Sequence, residues 1–159
     1  MTTTANRLET SEDFESTLTV AASSEEVLAA LRTAEAISSW WCPATGSAEQ
    51  GGTLEMASRS GSTFLVLHVE PSEGGRVVWS VLQAPLTPEW VGTRIVFEVE
   101  EDSTRAVTLR FRHQGLTAQC DCFDMCQEGW TNALDRLVSF AETGLTLLVR
   151  RFPLGMEVI

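Results

Sequence analysis

Hydrophobic residues recur at helical spacing over one long stretch near the end of the chain, from Cys120 to Gly144. At about 100° per residue, its apolar side chains fall within an arc of roughly 160°, and polar residues occupy the opposite side. Asp121 and Asp124 lie where the positive end of a helix dipole favours carboxylates, and Gly144 can adopt the left-handed cap conformation. The pattern predicts an amphipathic helix of about six turns that must pack on a large apolar surface.

Shorter stretches that alternate hydrophobic and polar residues, as half-buried strands do, supply that surface. We expect strands at 14–20, 53–57, 61–69, 76–83, 93–101 and 106–113. Short turns between successive strands favour an antiparallel arrangement. The sequence therefore predicts an α+β domain in which an antiparallel sheet of six to seven strands wraps around a single long helix.

Two short helices are expected after the first strand. One begins at Ser23 or Ser24, and the other runs from about Ala34 to Trp41, where Pro43 prevents its continuation. The later segment at 84–92 contains two prolines and is expected to be a loop that rims a pocket. Gly115 is expected to release the chain from the last strand toward the long helix.

Composition restricts the possible partners and location. The 159 residues suit one domain, which we place at 13–144 between a flexible arm at 1–12 and an apolar tail at 145–159. That tail could pack on its own molecule or form a homodimer contact. A net charge of −11 repels phosphate backbones, so neither nucleic acid nor a membrane is expected as a partner. The first residues lack the features of a signal peptide, and we expect a cytoplasmic protein.

Several short motifs follow one another in a distinctive order along the chain: Trp40-Trp41-Cys42-Pro43, Gly51-Gly52, Val69-Glu70-Pro71, Val78-Trp79, Gly129-Trp130 and Glu142-Thr143-Gly144. In this order they resemble the START-like, or SRPBCC, superfamily, and more narrowly the branch of homologues of the activator of the heat-shock protein 90 ATPase. The resemblance implies a helix-grip fold, in which a curved seven-stranded sheet clasps the long C-terminal helix around a cavity. Relatives often carry a glutamate where this chain has His68, so no role of that carboxylate is carried over.

The cysteines and histidines offer little catalytic chemistry. Cys120, Cys122 and Cys126 lack the spacing of a zinc site, so we predict no metal, no cofactor and structural cysteines, with metal or redox chemistry as the alternative. His113 continues the inward positions of its strand, where it could orient a ligand or act as a general base. The sequence shows no nucleophile elbow and no phosphate loop, and no catalytic residue is assigned.

The aromatic residues carry the functional prediction, because inward-facing rings either fill a core or line a cavity. The predicted ligand-binding residues are Trp41, Trp79, Phe97, Phe111, His113 and Trp130. Glycine at position 129 of a helix suggests close packing or a local gap. We expect a binding protein for a small hydrophobic or amphipathic ligand. The alternatives are an enzyme similar to the polyketide cyclases of the superfamily and an interaction module that acts with a chaperone.

Overall fold

The computed structural model describes residues 13–58, 60–101 and 107–144. The elements are β1 (Asp13–Val20), α1 (Ser24–Ala29), α2 (Ala34–Trp40), β2 (Ala44–Gly46), β3 (Thr53–Ala57), β4 (Thr63–Glu70), β5 (Arg76–Gln83), β6 (Arg94–Glu101), β7 (Val107–Thr117) and α3 (Phe123–Thr143). The predicted arm at 1–12 and the tail at 145–159, with its possible dimer contact, lie outside the described residues.

The seven strands form one antiparallel sheet in the order β1-β7-β6-β5-β4-β3-β2. The sheet curves around α3, and the core lies between them. This arrangement confirms the predicted α+β helix-grip fold. Hydrophobic alternation missed only β2, since a strand of three residues at the sheet edge is too short to show a period of two.

The helices begin and end where local chemistry favours it. Ser23 caps α1 in a capping box with Glu26, and Thr33 caps α2 through the backbone N–H of Ala36. The long helix α3 ends at Gly144, whose φ of 75° is the predicted left-handed cap. It begins at Phe123, later than predicted, because turns precede it. In the described part of the chain, no helix is both long and apolar enough to cross a membrane.

The last strand, β7, is longer than predicted, because Gly115 lies within the strand and does not end it. Gly115 has a φ of 100°, and its backbone N–H donates to Asp13 Oδ1 at 2.8 Å. The alternation of buried and exposed residues shifts by one position here, since His113 and Leu116 are both buried although they are three residues apart. An irregularity of this kind bends a strand, as a β-bulge does. It keeps His113 on the core side while the chain proceeds toward α3.

The outer face of the sheet carries arginines paired with acidic side chains. The pairs are Arg94–Glu70, Arg76–Glu98, Arg110–Glu100 and Arg112–Glu15. His68 belongs to this face, because Leu67 and Val69 on either side of it are the buried residues of β4. Exposed ion pairs contribute little to stability. The alternation of the strands places these charges on the side of the sheet away from α3.

Candidate functional site

Part of the space beside α3 is open in the described structure. A cavity of about 360 Å³ lies between α3, the start of β4 and the loop at 84–92. Three of its walls are the tryptophans Trp41, Trp90 and Trp130, and we call it the tryptophan cleft. The other residues that line it are Phe64, Leu65, Leu86, Thr87, Met125, Cys126, Gly129 and Arg136. Its volume lies in the range of small-molecule sites, and its lining is mostly apolar.

Trp41 is placed by the end of α2. Its backbone N–H still bonds the Ile37 carbonyl at 2.9 Å, but Pro43 prevents further helical turns. The Trp41 ring stacks on Trp40 and on Trp79, with centroid distances of 5.8 and 6.0 Å. The centroid of the Trp41 ring lies 5.0 Å from the centroid of the Trp130 ring. Trp41 is therefore a half-buried residue whose ring packs against two other tryptophan rings.

Trp90 is placed by the loop between β5 and β6, where residues Pro88–Trp90 form a 3-10 turn. Its ring stacks nearly parallel to Trp130 at 5.9 Å, and its indole N–H donates to Cys126 Sγ at 3.3 Å. The loop also contributes Leu86, which is 73 % exposed at the mouth of the cleft. The loop thus forms the outer wall of the cleft and is fastened to α3.

The helix α3 contributes one flank to the cleft. Met125, Gly129 and Arg136 lie on the same side of the helix, next to the buried stripe that includes Trp130. A Cβ built on Gly129 would meet no atom within 4 Å. The structure thus decides between the two explanations of this glycine. It leaves a gap in the wall of the cleft and is not a point of close packing.

A series of buried and partly buried hydrogen bonds joins two of the cleft tryptophans. Trp130 Nε1–H donates to His113 Nδ1 at 3.0 Å, and His113 Nε2 lies 2.8 Å from Thr93 Oγ1. The Thr93 hydroxyl donates to the Trp90 carbonyl at 2.6 Å. Since Nδ1 accepts and the hydroxyl proton is used elsewhere, the proton of the imidazole belongs on Nε2. These hydrogen bonds fix both the tautomer of His113 and the relative position of Trp90 and Trp130.

His113, the histidine in this series of hydrogen bonds, is not suited to proton transfer. Burial lowers the pKa of His113 from 6.5 to about 3, because the charged form loses its hydration. The Trp90 ring packs edge-on against the imidazole at 4.5 Å. Both ring nitrogens already have partners within the protein. His113 is therefore neutral near pH 7 and supports the walls from behind.

The structure separates the sequence-predicted site residues into two groups. Trp41 and Trp130 line the cleft. Trp79, Phe97, Phe111 and His113 are at most 1 % exposed and lie behind the cleft within the core. The alternation of a strand shows which side chains face inward. It does not show whether a cavity or another side chain meets them, and in this protein Trp130 covers Phe111 at 4.5 Å.

Nine of the eleven residues that line the cleft were not assigned from the sequence to ligand binding, and Trp90, Gly129 and Arg136 are the informative cases. Trp90 lies in the proline-containing loop predicted to rim a pocket, and that loop was the available signal. Gly129 was noted as a possible gap. Arg136 lies at the border between the two faces of the helix, where periodicity gives no indication of its role.

The cysteines show no arrangement for a metal. Across the ranges 13–58, 60–101 and 107–144, no three His, Cys, Asp or Glu side chains come together to hold an ion. Burial raises the pKa of the Cys42 thiol to about 12, and the positive charge of Arg136 opposes part of this rise. Burial also raises the pKa of Cys122, with a further contribution from Cys126. These groups stay protonated near neutral pH, which disfavours thiolate chemistry.

Comparison with known proteins agrees with the fold. The family model described as activator of Hsp90 ATPase homolog 1-like protein matches residues 21–142, which confirms the resemblance seen in the motifs. No curated protein matches significantly. A similar solved structure is the Aha1 dimer from Colwellia psychrerythraea, with 24% identity and a TM-score of 0.70, over 84% of this chain and 98% of that one.

Two further solved structures resemble this chain at lower identity. DynU16, a protein in the dynemicin biosynthetic locus, is 19% identical with a TM-score of 0.66, over 84% of this chain and 48% of that one. CalU16 from Micromonospora echinospora is 19% identical with a TM-score of 0.65, over 80% of this chain and 73% of that one. At these identities the likeness shows a shared fold.

Proposed function

The chain belongs to the activator of Hsp90 ATPase homolog 1-like family, and from that premise we propose that it is a non-catalytic binding protein for a small hydrophobic or amphipathic ligand. The ligand would occupy the tryptophan cleft. The observation that carries the proposal is the cleft itself, with three indole walls around about 360 Å³ and an open gap at Gly129. Indole rings held rigidly by their neighbours provide contact area with little loss of side-chain entropy on binding.

The types of side chain in the walls also support ligand binding without catalysis. The side chains that line the cleft include neither a histidine nor a carboxylate among the described residues. A cyclase-like enzyme would need a base within hydrogen-bond reach of the substrate. His113 was the candidate, but it is buried, has partners on both nitrogens and has a pKa of about 3. The place of DynU16 in a biosynthetic locus is compatible with a binding protein as well as with an enzyme.

A cavity-filling variant tests the proposal directly. Gly129→Leu would place its branched side chain over the preceding turn, where Met125 and Cys126 line the cleft. We expect the wild-type protein to bind the neutral fluorescent probe phenylnaphthylamine with a micromolar dissociation constant. Gly129→Leu should weaken that binding at least about tenfold, as expected when burial of the probe is lost. The measurement is probe fluorescence excited through tryptophan.

The matched control is Gly129→Ala, which adds one methyl group at the same position and leaves most of the cleft open. It should bind the probe within about twofold of the wild-type protein. Equal affinity of the wild type and a folded Gly129→Leu variant would show that the probe binds elsewhere. A wild-type protein that binds no apolar probe at millimolar concentration would contradict the proposal.

The interaction-module alternative makes a different prediction. A protein that acts only by contacting a chaperone would bind that chaperone equally well in its wild-type and Gly129→Leu forms. We favour small-molecule binding because the open space lies inside the fold, between elements that are rigidly connected.

A further inference from the structure

The mouth of the tryptophan cleft is bordered by apolar side chains that the described residues leave uncovered. Leu86 and Met125 are the most exposed large hydrophobic side chains in the described part of the chain, at 73 % and 65 %. Leu86 comes from the loop at 84–92 and Met125 from the first turn of α3, and both line the cleft. Apolar side chains that share one exposed surface commonly mark a contact with a partner. The mouth of the cleft is therefore a docking surface.

A row of carboxylates follows α3 beside this mouth. Glu128, Asp135 and Glu142 are exposed and lie seven residues apart, so they share one side of the helix. At about 100° per residue, Glu128 lies about 60° around the helix from Met125. None of the ion pairs within the described residues involves Glu128 or Asp135. This acidic row leads from the end of α3 toward the mouth and attracts a positively charged segment.

The tail at 145–159 matches both features in sequence. Its residues, LTLLVRRFPLGMEVI, are mostly hydrophobic and include the adjacent arginines Arg150 and Arg151. The tail lies outside the described residues and is attached at Gly144, where the left-handed cap ends α3 and turns the chain from the helix axis. An apolar segment with two positive charges suits an apolar mouth beside an acidic row.

The distances along the helix also agree with such a contact. Because α3 rises about 1.5 Å per residue, Glu128 and Met125 lie about 24 and 28 Å from Gly144 along its axis. An extended chain advances up to about 3.4 Å per residue, so Arg151 reaches about 24 Å from Gly144 and Phe152 about 27 Å. A tail that runs back beside α3 can thus bring its arginines level with Glu128 and Phe152 level with Met125.

We propose that the tail at 145–159 docks on its own molecule, with its arginines along the acidic row and with Phe152 and Leu154 over Leu86 and Met125 at the mouth of the cleft. A short flexible tether gives an effective concentration on the order of 1 mM, so a weak contact is enough to populate the docked form. A ligand must then displace the tail. This competition rests on the proposed function, whereas the docking itself does not.

The docking is measured first without a ligand, by two-dimensional proton–nitrogen NMR of the indole N–H groups in the protein of 159 residues. The double variant Phe152→Ser/Leu154→Ser removes the two apolar side chains that would cover the mouth. We expect the Trp90 signal to shift from its wild-type position, because its ring lines the cleft. The Trp40 signal should stay in place, since Trp40 is fully buried and reports an intact core. Identical indole spectra of the double variant and the wild type would overturn the docking.

A reversal of charge tests the path along α3. Glu128→Arg should repel the tail and move the Trp90 signal toward its position in the double variant. Adding Arg150→Glu and Arg151→Glu to Glu128→Arg should return the signal toward the wild-type position. Glu73→Arg is the matched control, because it makes the same change of charge at an exposed residue after β4, whereas the cleft lies at the start of that strand. An equal shift in Glu128→Arg and Glu73→Arg would contradict the path along the acidic row.

Competition is measured by the phenylnaphthylamine titration of the same proteins. The double variant should bind the probe about five- to tenfold more tightly than the wild type, since apparent affinity scales with the fraction of molecules whose cleft is uncovered. Equal affinities would overturn the competition. An affinity of the wild type that falls with rising protein concentration would assign the tail to the cleft of a second copy and contradict docking within one molecule. If neither protein binds the probe, the proposed function fails, while the indole spectra still decide the docking.

Discussion

At the scale of single residues, His113 is the most informative side chain. It resembles a catalytic histidine in sequence, because it lies at an inward position near the end of a strand. In the structure it is an uncharged connector between Trp130 and Thr93. Its burial has a measurable consequence for stability against pH, which a histidine exposed in a pocket would not have.

That consequence has a definite sign. Because the folded-state pKa of His113, about 3, lies below its ordinary value of 6.5, the unfolded chain binds the proton first as pH falls. The contribution to stability is complete above pH 6.5 and is lost between pH 6.5 and 3. We expect this residue to lower the free energy of unfolding by up to about 1.4 kcal/mol per pH unit across that window.

Urea denaturation between about pH 5 and 7 measures the effect against His113→Gln, which keeps hydrogen-bonding groups but does not titrate. The variant should show a smaller slope of stability against pH than the wild type, since every other titrating group is present in both. Identical slopes would mean that His113 is accessible to protons in the folded protein.

A second comparison among single residues concerns two buried tryptophans. The indole N–H of Trp40 donates to the Ala30 carbonyl at 2.8 Å. The indole N–H of Trp79 is buried and has no hydrogen-bond partner within the described residues. Replacement by phenylalanine removes an existing hydrogen bond at Trp40, whereas at Trp79 it removes a donor that has no acceptor among the described residues.

We therefore expect Trp40→Phe to lower the free energy of unfolding by about 1 to 3 kcal/mol more than Trp79→Phe does, because both changes delete similar apolar area. Chemical denaturation of the two variants checks the difference. An equal cost would mean that Trp79 has a partner such as a buried water, or that packing alone decides both values.

At the scale of elements, the long helix α3 contains a glycine that lines the cleft and lowers the intrinsic stability of the helix. Glycine in a helix interior costs about 1 kcal/mol relative to alanine, and the structure shows no steric need for it at position 129. Gly129→Ala should raise the free energy of unfolding by about 1 kcal/mol in thermal or chemical denaturation.

The cap of the same helix provides the contrasting control. Gly144 has a φ of 75°, which a side chain strains, so Gly144→Ala should lower stability by about 1 kcal/mol. If Gly129→Ala also destabilises the protein, position 129 has a packing role and the gap assigned to the cleft is not real.

Sequence patterns predicted the elements far better than the interior between them. The apolar stripe of α3 and the alternation in β6 and β7 follow from the periods of a helix and a strand, so the fold was predictable. The cleft depends on how side chains from distant segments meet. Trp90 comes from a loop without periodicity, and Arg136 enters the wall because its Nε–H reaches a carbonyl in α2. No local pattern specifies either contact.

At the scale of the whole molecule, four ion pairs and the cleft lie on different sides of the sheet. Four arginines are paired with carboxylates on its outer face, and the cleft lies on the side of α3. The five tryptophans form one connected cluster from Trp40 to Trp90. Any ligand in the cleft must therefore contact part of this cluster, and the indole groups report on binding.

Ligand binding in the tryptophan cleft is tested most directly by two-dimensional proton–nitrogen NMR of the indole N–H groups during a titration with phenylnaphthylamine. We predict that the signals of Trp90 and Trp130 shift progressively and saturate, because their rings line the cleft. The Trp40 signal should move least, since this residue is buried behind Trp41. Indole signals that stay unchanged while the probe binds would place the ligand elsewhere and contradict the assignment of the cleft as the binding site.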